Sequence, residues 1–291
     1  MNEGHHNHHS QHVSGESTPM TALARIFDLD AAVTGAYLDD AIDLIRAARS
    51  HEPAVVVDLG AGTGSATTRL AARFPSATIV AVDNSPTFAD QVVRRAATDG
   101  WSSRLTTVAA DLDDGWPVAV GTPDVVWASS SMHHAADPAR LLREMYARLA
   151  DDGTLAVLEI EGPPRFLPAD QGIGTPGFED RIVDLLTRSG WNTHPDWTVP
   201  LTEAGFGRVT RTSIRVEPAT APPGTAEYAV EWYAHLRDGI GRELPGTDRA
   251  ILDQLLSHDH PQSLHARPDL RLRAGRLLWL AQPNAEGAHH V

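Results

Sequence analysis

From residue 54 onward, short apolar runs alternate with segments of helical spacing. Val55–Val57, Ala77–Val82, Leu105–Ala110, Val125–Ala128 and Thr154–Ile160 are nearly continuous apolar stretches rich in β-branched residues. Strands buried on both faces of a parallel sheet have this composition. Between them, residues 66–74, 86–100 and 138–149 carry apolar positions at helical intervals. Ser85–Pro86 is suited to start the second of these and Pro138 to open the third. Strands alternating with helices at this rhythm predict a doubly wound α/β fold with a mostly parallel, seven-stranded sheet.

The flanks are less regular. Residues 1–20 are polar and crowded with His5, His6, His8, His9 and His12, and are expected to be a disordered tail with no metal site. Residues 21–52 are expected to form an N-terminal helical segment, broken at Asp28–Leu29–Asp30 and at Thr34–Gly35. Residues 53–160 are the core. Residues 161–196, rich in Pro and Gly, are expected to form an insert with one short helix near Phe178–Thr187, serving as a lid or substrate wall. Residues 197–284 are expected to supply a helix at 197–204, a sixth strand at 207–216, cap helices at 225–239 and 247–256, and a closing strand at 270–281 antiparallel to the sixth. Residues 285–291 form a short tail.

Composition narrows the choice of partner. The 291 residues are 42% hydrophobic and carry a net charge of −14. An acidic chain without basic runs lacks the electrostatic footprint of a nucleic-acid or anionic-membrane binder. There is no cysteine, which excludes a disulfide framework and a thiolate metal site. No apolar stretch is long enough to span a bilayer, so a cytoplasmic location is expected. Outside the tail no Asp/His set reads as a metal site, and paired cap helices leave room for a homodimer.

Right-handed crossovers place Asp58, Asp83, Asp111 and Ser129 on one edge of the sheet. At that edge Gly60, Gly62 and Gly64 alternate after the first strand, and Ser65 stands where a dinucleotide fingerprint would carry its last glycine. Asp58 precedes the turn. A pyrophosphate gains nothing from such a carboxylate, whereas a ligand with a cationic head does. An adenosyl ligand bearing an ammonium and a sulfonium therefore fits better than NAD. Asp83 could accept both ribose hydroxyls, and Asp111 with the Leu112 amide could read an adenine edge.

On these residues, 54–160 resemble a class I S-adenosylmethionine-dependent methyltransferase. Asp58 to Gly64 match its nucleotide turn, Asp83 its ribose acid, and Asp111 its adenine-side acid. Trp127 to His134 match the stretch lining the transferable methyl, and Asp151 to Leu155 the turn into its fifth strand. The resemblance implies S-adenosyl-L-methionine as cofactor, with Gly60, Ala61 and Gly62 near the methionine moiety and Asp58 ordering the turn or meeting the ammonium. It further implies Asp83 on the ribose, Asn84 beside the adenine, and Asp111 and Leu112 at its edge. Methyl transfer to a small-molecule acceptor, as in bacterial secondary metabolism, is then the expected activity. His133 and His134 are the candidate catalytic bases by position, with His133 preferred and His134 expected to face the helix side; the bland alternative is an imidazole that only shapes the pocket. Glu159 and Glu161 could contact a polar acceptor. Arg165, Phe166 and Phe178, with Tyr228, Trp232, Tyr233 and His235, could form a substrate lid. Two alternatives remain open: an S-adenosylmethionine-binding protein without transfer, and an NAD-dependent oxidoreductase.

Overall fold

The computed structural model describes residues 17–284, with side chains from residue 23. Residues 1–16, with the histidine tract, and the last seven residues lie outside the described residues; residues 17–20, expected in the disordered tail, instead open the first helix. In chain order the elements are α1 (Ser17–Val33), α2 (Ala36–Ala47), β1 (Val55–Leu59), α3 (Ser65–Arg73), β2 (Thr78–Asp83), α4 (Pro86–Asp99), β3 (Leu105–Ala109), β4 (Val125–Ser129), α5 (Pro138–Arg148) and β5 (Thr154–Ile160). There follow α6 (Phe178–Arg188), α7 (Thr198–Glu203), β6 (Arg208–Val216), α8 (Thr225–Ile240), α9 (Gly246–Leu256) and β7 (Ala274–Gln282).

The seven strands run in the order β3-β2-β1-β4-β5-β7-β6. β1 to β5 are parallel, and β7 is antiparallel to both β5 and β6. Alternate residues of each strand feed two separate cores. Val56, Ile79, Trp127 and Leu158 pack on the side of α2, α3 and α4. Val57, Val80, Val126 and Val157 pack on the side of α5 and α7. Both faces of the sheet are covered, which is why its strands read as continuous apolar runs. Strand order reverses between β2-β1 and β4-β5, and that reversal opens a crevice at the carboxyl ends of β1 and β4.

Two expectations about the flanks need correction. Asp28–Leu29–Asp30 does not break the first helix; α1 runs through it to Val33. Both carboxylates are satisfied by distant arginines, Asp28 by Arg95 at 2.7 Å and Asp30 by Arg276 at 2.7 Å, so neither competes for its own backbone. The break falls at Thr34–Gly35. Gly35 is needed there because a Cβ would come within 2.1 Å of the Ala31 carbonyl oxygen. The closing strand starts at Ala274 rather than Leu270. The amides of Arg271 and Arg273 donate instead to Phe166 and Arg165, each at 2.9 Å, tying this stretch to the insert. Among the described residues, no helix is long and apolar enough to cross a membrane.

Candidate functional site

The turn after β1 is built by its glycines. Gly60 has φ +76° and Gly62 φ +53°, a left-handed geometry that other residues adopt only at a cost. The Gly60 and Ala61 amides donate to the Val82 carbonyl at 2.8 and 3.0 Å, fastening the turn to the end of β2. At Gly60 a Cβ would also lie 2.6 Å from that of Ser131, whereas Gly62 has open space in the Cβ direction.

A cavity of about 480 Å³ opens above this turn, within the range usual for small-molecule sites. Asp58, Gly60, Ala61, Gly62 and Ser129 all line it. Asp58 is buried at 1% exposure, and its Oδ2 accepts a 2.6 Å hydrogen bond from Thr67 Oγ1. Burial pushes its carboxyl up to about 7, against the smaller opposing effect of the Thr67 hydroxyl. A carboxylate so deprived of water gains strongly from any cation brought beside it.

His133 and His134 follow β4 in a short 3-10 turn, Met132–His134. Both line the same cavity, with ring centroids 4.1 Å apart. The expectation that His134 faces the helix side is therefore corrected: both rings stand against the cavity. Burial and the neighbouring His133 hold the His134 imidazolium below its ordinary range. His133 differs in having a partner, since its Nδ1 lies 2.9 Å from Oε2 of Glu159 on β5. The register that sets Ser129 opposite Leu158 brings these two residues together. Glu159 is fully buried, and its Oε1 has no partner among the described residues. A carboxylate on Nδ1 fixes ring orientation and leaves Nε2 as the nitrogen open to the cavity.

Gly64 does not line the cavity but closes the glycine turn at the start of α3; Asp83, Asn84, Asp111 and Leu112 do not line it either and stand around the ends of β2 and β3. Asp83 accepts from the Gly62 amide (2.8 Å) and from the Ser85 amide (2.8 Å), one on each oxygen. Each oxygen keeps a second lone pair for a ligand hydroxyl. Asn84 Nδ2 donates to Asp111 Oδ2 at 3.4 Å, and Asp111 Oδ1 caps the next turn through the Asp113 amide. Asp83, Asn84 and Asp111 thus make a shelf tied to the glycine turn through the Gly62 amide.

The opposite wall carries a cluster that sequence reasoning missed. The Nη2 of Arg276 donates to both oxygens of Asp30 at 2.7 Å, and the guanidinium lies over the Tyr37 ring at 4.4 Å. The hydroxyls of Tyr228 and Tyr37 reach Asp30 at 2.8 and 3.3 Å. Burial pushes the Tyr37 phenol up to about 12. The available signal was a lone arginine opening the apolar run Leu277–Leu280, a charge that a buried strand tolerates only with a partner. Of the expected lid residues, Tyr228, Trp232 and His235 line the cavity, while Phe166, Phe178 and Tyr233 pack in the core.

Residues 56–153 match the family model described as a methyltransferase domain. This stretch is a class I methyltransferase domain. The chain is 34% identical over 165 residues to a malonyl-[acyl-carrier protein] O-methyltransferase of Laribacter hongkongensis, covering 52% of this chain and 54% of the relative. It is 32% identical over 117 residues to a trans-aconitate 2-methyltransferase of Methylobacterium radiotolerans, covering 40% of this chain and 42% of the relative. The chain spans about half the length of these curated relatives. Among solved structures, phosphoethanolamine N-methyltransferase 2 of Haemonchus contortus shares the fold, with a TM-score of 0.52 at 14% identity over 92% of this chain and 57% of that one. The methyltransferase domain supplies the cavity floor, from Asp58 to Ala66 and from Ser129 to His134. The wall facing it comes from outside the matched residues, from α1, α2, the end of β5, the insert at Pro164, Trp191 and Asn192, α8 and β7.

Proposed function

We propose that this chain is an S-adenosyl-L-methionine-dependent methyltransferase acting on a small-molecule acceptor. The observation that carries the reading is one cavity in which Asp58 and the glycine turn face the His133–Glu159 pair. In this reading the shelf of Asp83, Asn84 and Asp111 takes the nucleoside and the turn from Gly60 to Gly62 takes the methionine end. Asp58, ionised by the ligand's ammonium, recovers the desolvation that burial imposes on it. When bound, the sulfonium supplies an already activated methyl group. The protein then needs to hold the acceptor in line and keep water away. Ser129, Ser130 and His133 stand where the acceptor atom would approach, and His133 Nε2 is placed to take its proton.

The relatives' names carry over only the notion of a small acceptor. One of secondary-metabolite type suits a cavity whose wall is more apolar than polar. The test is release of S-adenosylhomocysteine from S-adenosylmethionine over a panel of small hydroxylated and amino acceptors. Turnover with at least one acceptor, lost in His133→Gln with cofactor binding intact, is expected. No turnover by protein that binds the cofactor would favour a binding role instead.

A further inference from the structure

The charges in the cavity restrict the acceptor further, given the methyltransferase reading above. Besides Tyr37 and Tyr228, its titratable lining among the described residues consists of Asp30, Asp58, His133, His134, His235 and Arg276. The chain has no lysine, and among the described residues Arg276 is the single arginine of the cavity. It is 3% exposed. Its Nη2 is held by both oxygens of Asp30, its Nη1 donates to the Gly275 carbonyl at 3.0 Å, and its face is covered by Tyr37. The two tyrosine hydroxyls that could have bound an anion are directed onto Asp30 as well. An anionic acceptor would thus lose its hydration and, among the described residues, find no unpaired arginine in return, a costly exchange.

The remaining wall is aromatic. Trp191 and Trp232 meet edge to face with centroids 5.6 Å apart, and Phe27, 44% exposed, also lines the cavity. Such walls favour flat ring systems. The same cavity holds His133, whose Nδ1 is taken by Glu159 at 2.9 Å so that its Nε2 is left for an acceptor hydroxyl. An imidazole takes the proton of a phenolic hydroxyl, near pKa ~10, more readily than that of an aliphatic alcohol.

We infer that the acceptor is an uncharged, flat molecule bearing a phenolic or enolic hydroxyl, and that the Asp30–Arg276 pair excludes carboxylates from the same cavity. In the transfer, the hydroxyl proton passes to His133 Nε2 while the oxygen lone pair forms the new O–CH3 bond. The pair of the breaking C–S bond returns to sulfur, leaving a methyl ether, the neutral thioether S-adenosylhomocysteine and one proton on the protein.

Calorimetry on the full chain saturated with S-adenosylhomocysteine tests this, with 2-naphthol and 7-hydroxycoumarin set against 2-naphthoate and coumarin-3-carboxylate. The expected result is binding of the phenols at least tenfold tighter than of the carboxylates. Asp30→Asn frees the Arg276 guanidinium and should move that ratio at least tenfold toward the carboxylates, provided its melting curve shows a folded protein. If the variant does not fold, the wild-type comparison decides alone. Carboxylates binding as well as phenols, binding by neither class, or an unchanged ratio in a folded variant would overturn the inference. Failure to bind S-adenosylhomocysteine at all would overturn the methyltransferase reading instead.

Discussion

Two glycines two residues apart in the turn after β1 should respond to alanine in opposite ways. At Gly60 the added methyl meets Ser131 Cβ at 2.6 Å, and the backbone is held at φ +76°. The left-handed conformation costs a non-glycine residue about 1–2 kcal/mol. Overpacking adds about 1–3 kcal/mol, because Ser131 is itself tied to the sheet. That tie is its hydroxyl, which donates to the Leu59 carbonyl at 2.8 Å. The sum, about 2–5 kcal/mol, corresponds to a fall in melting temperature of roughly 5–15 °C for a domain of this size. At Gly62 the methyl meets nothing within 4 Å. Only the backbone term remains there, partly offset by the lower entropy of the unfolded chain, and the fall should stay within about 4 °C. Yet Gly62 lines the cavity, so its methyl would stand where the methionine end of the ligand is placed. Gly62→Ala should therefore melt close to wild type and lose S-adenosylhomocysteine affinity by tenfold or more. Scanning calorimetry with and without ligand reads both quantities on one sample. Equal destabilisation by the two substitutions, or ligand stabilisation of Gly62→Ala equal to that of wild type, would refute the placement.

Asp58 should show stability and binding pulling against each other. Its unfolded carboxyl titrates near 3.8 and its folded one near 7. Between those values the folded protein binds more protons than the unfolded chain, so stability falls as pH rises through that window and levels off above it. The ionised group then costs the ligand-free protein up to roughly 4 kcal/mol. Asp58→Asn should raise the melting temperature at pH 8, flatten its pH dependence between 4 and 7, and abolish ligand binding; a lower melting temperature at pH 8 would contradict this. In wild type, ligand affinity should weaken up to about tenfold per pH unit below 7, the point at which Asp58 takes up its proton, and calorimetric titrations at several pH values check it. His133→Gln should lower methyl transfer by about 10²–10⁴-fold, the usual contribution of a positioned base, with S-adenosylhomocysteine affinity unchanged. Glu159→Gln, which acts through His133, should lower kcat and leave KM for the acceptor near its original value; a rise in KM alone would assign Glu159 to binding.

The sheet and the cofactor turn were legible because their signals are local. A run such as Val55–Val57 followed by Asp58 and alternating glycines specifies strand, turn and helix from neighbours in the chain. The acceptor side was not legible, because its residues acquire meaning only across long sequence separations. Asp30 reads as a helix breaker until Arg276, on the last strand, takes its carboxylate. Glu159 reads as solvated strand-end charge until the β4–β5 register sets it under His133. His134 could be placed on the wrong side because its direction is set by the 3-10 turn Met132–His134, which leaves no periodic signal in the sequence.

Calorimetric titration with S-adenosylhomocysteine and, separately, NAD, on wild type and on Asp83→Ala, bears most directly on the cofactor. Asp83 lies outside the cavity, braced by the Gly62 and Ser85 amides at 2.8 Å each, so its loss removes a ligand contact without opening the core. Micromolar binding of S-adenosylhomocysteine, weakened at least tenfold in Asp83→Ala, with no heat from NAD, is the expected result. Binding of NAD, or S-adenosylhomocysteine binding indifferent to Asp83, would contradict it.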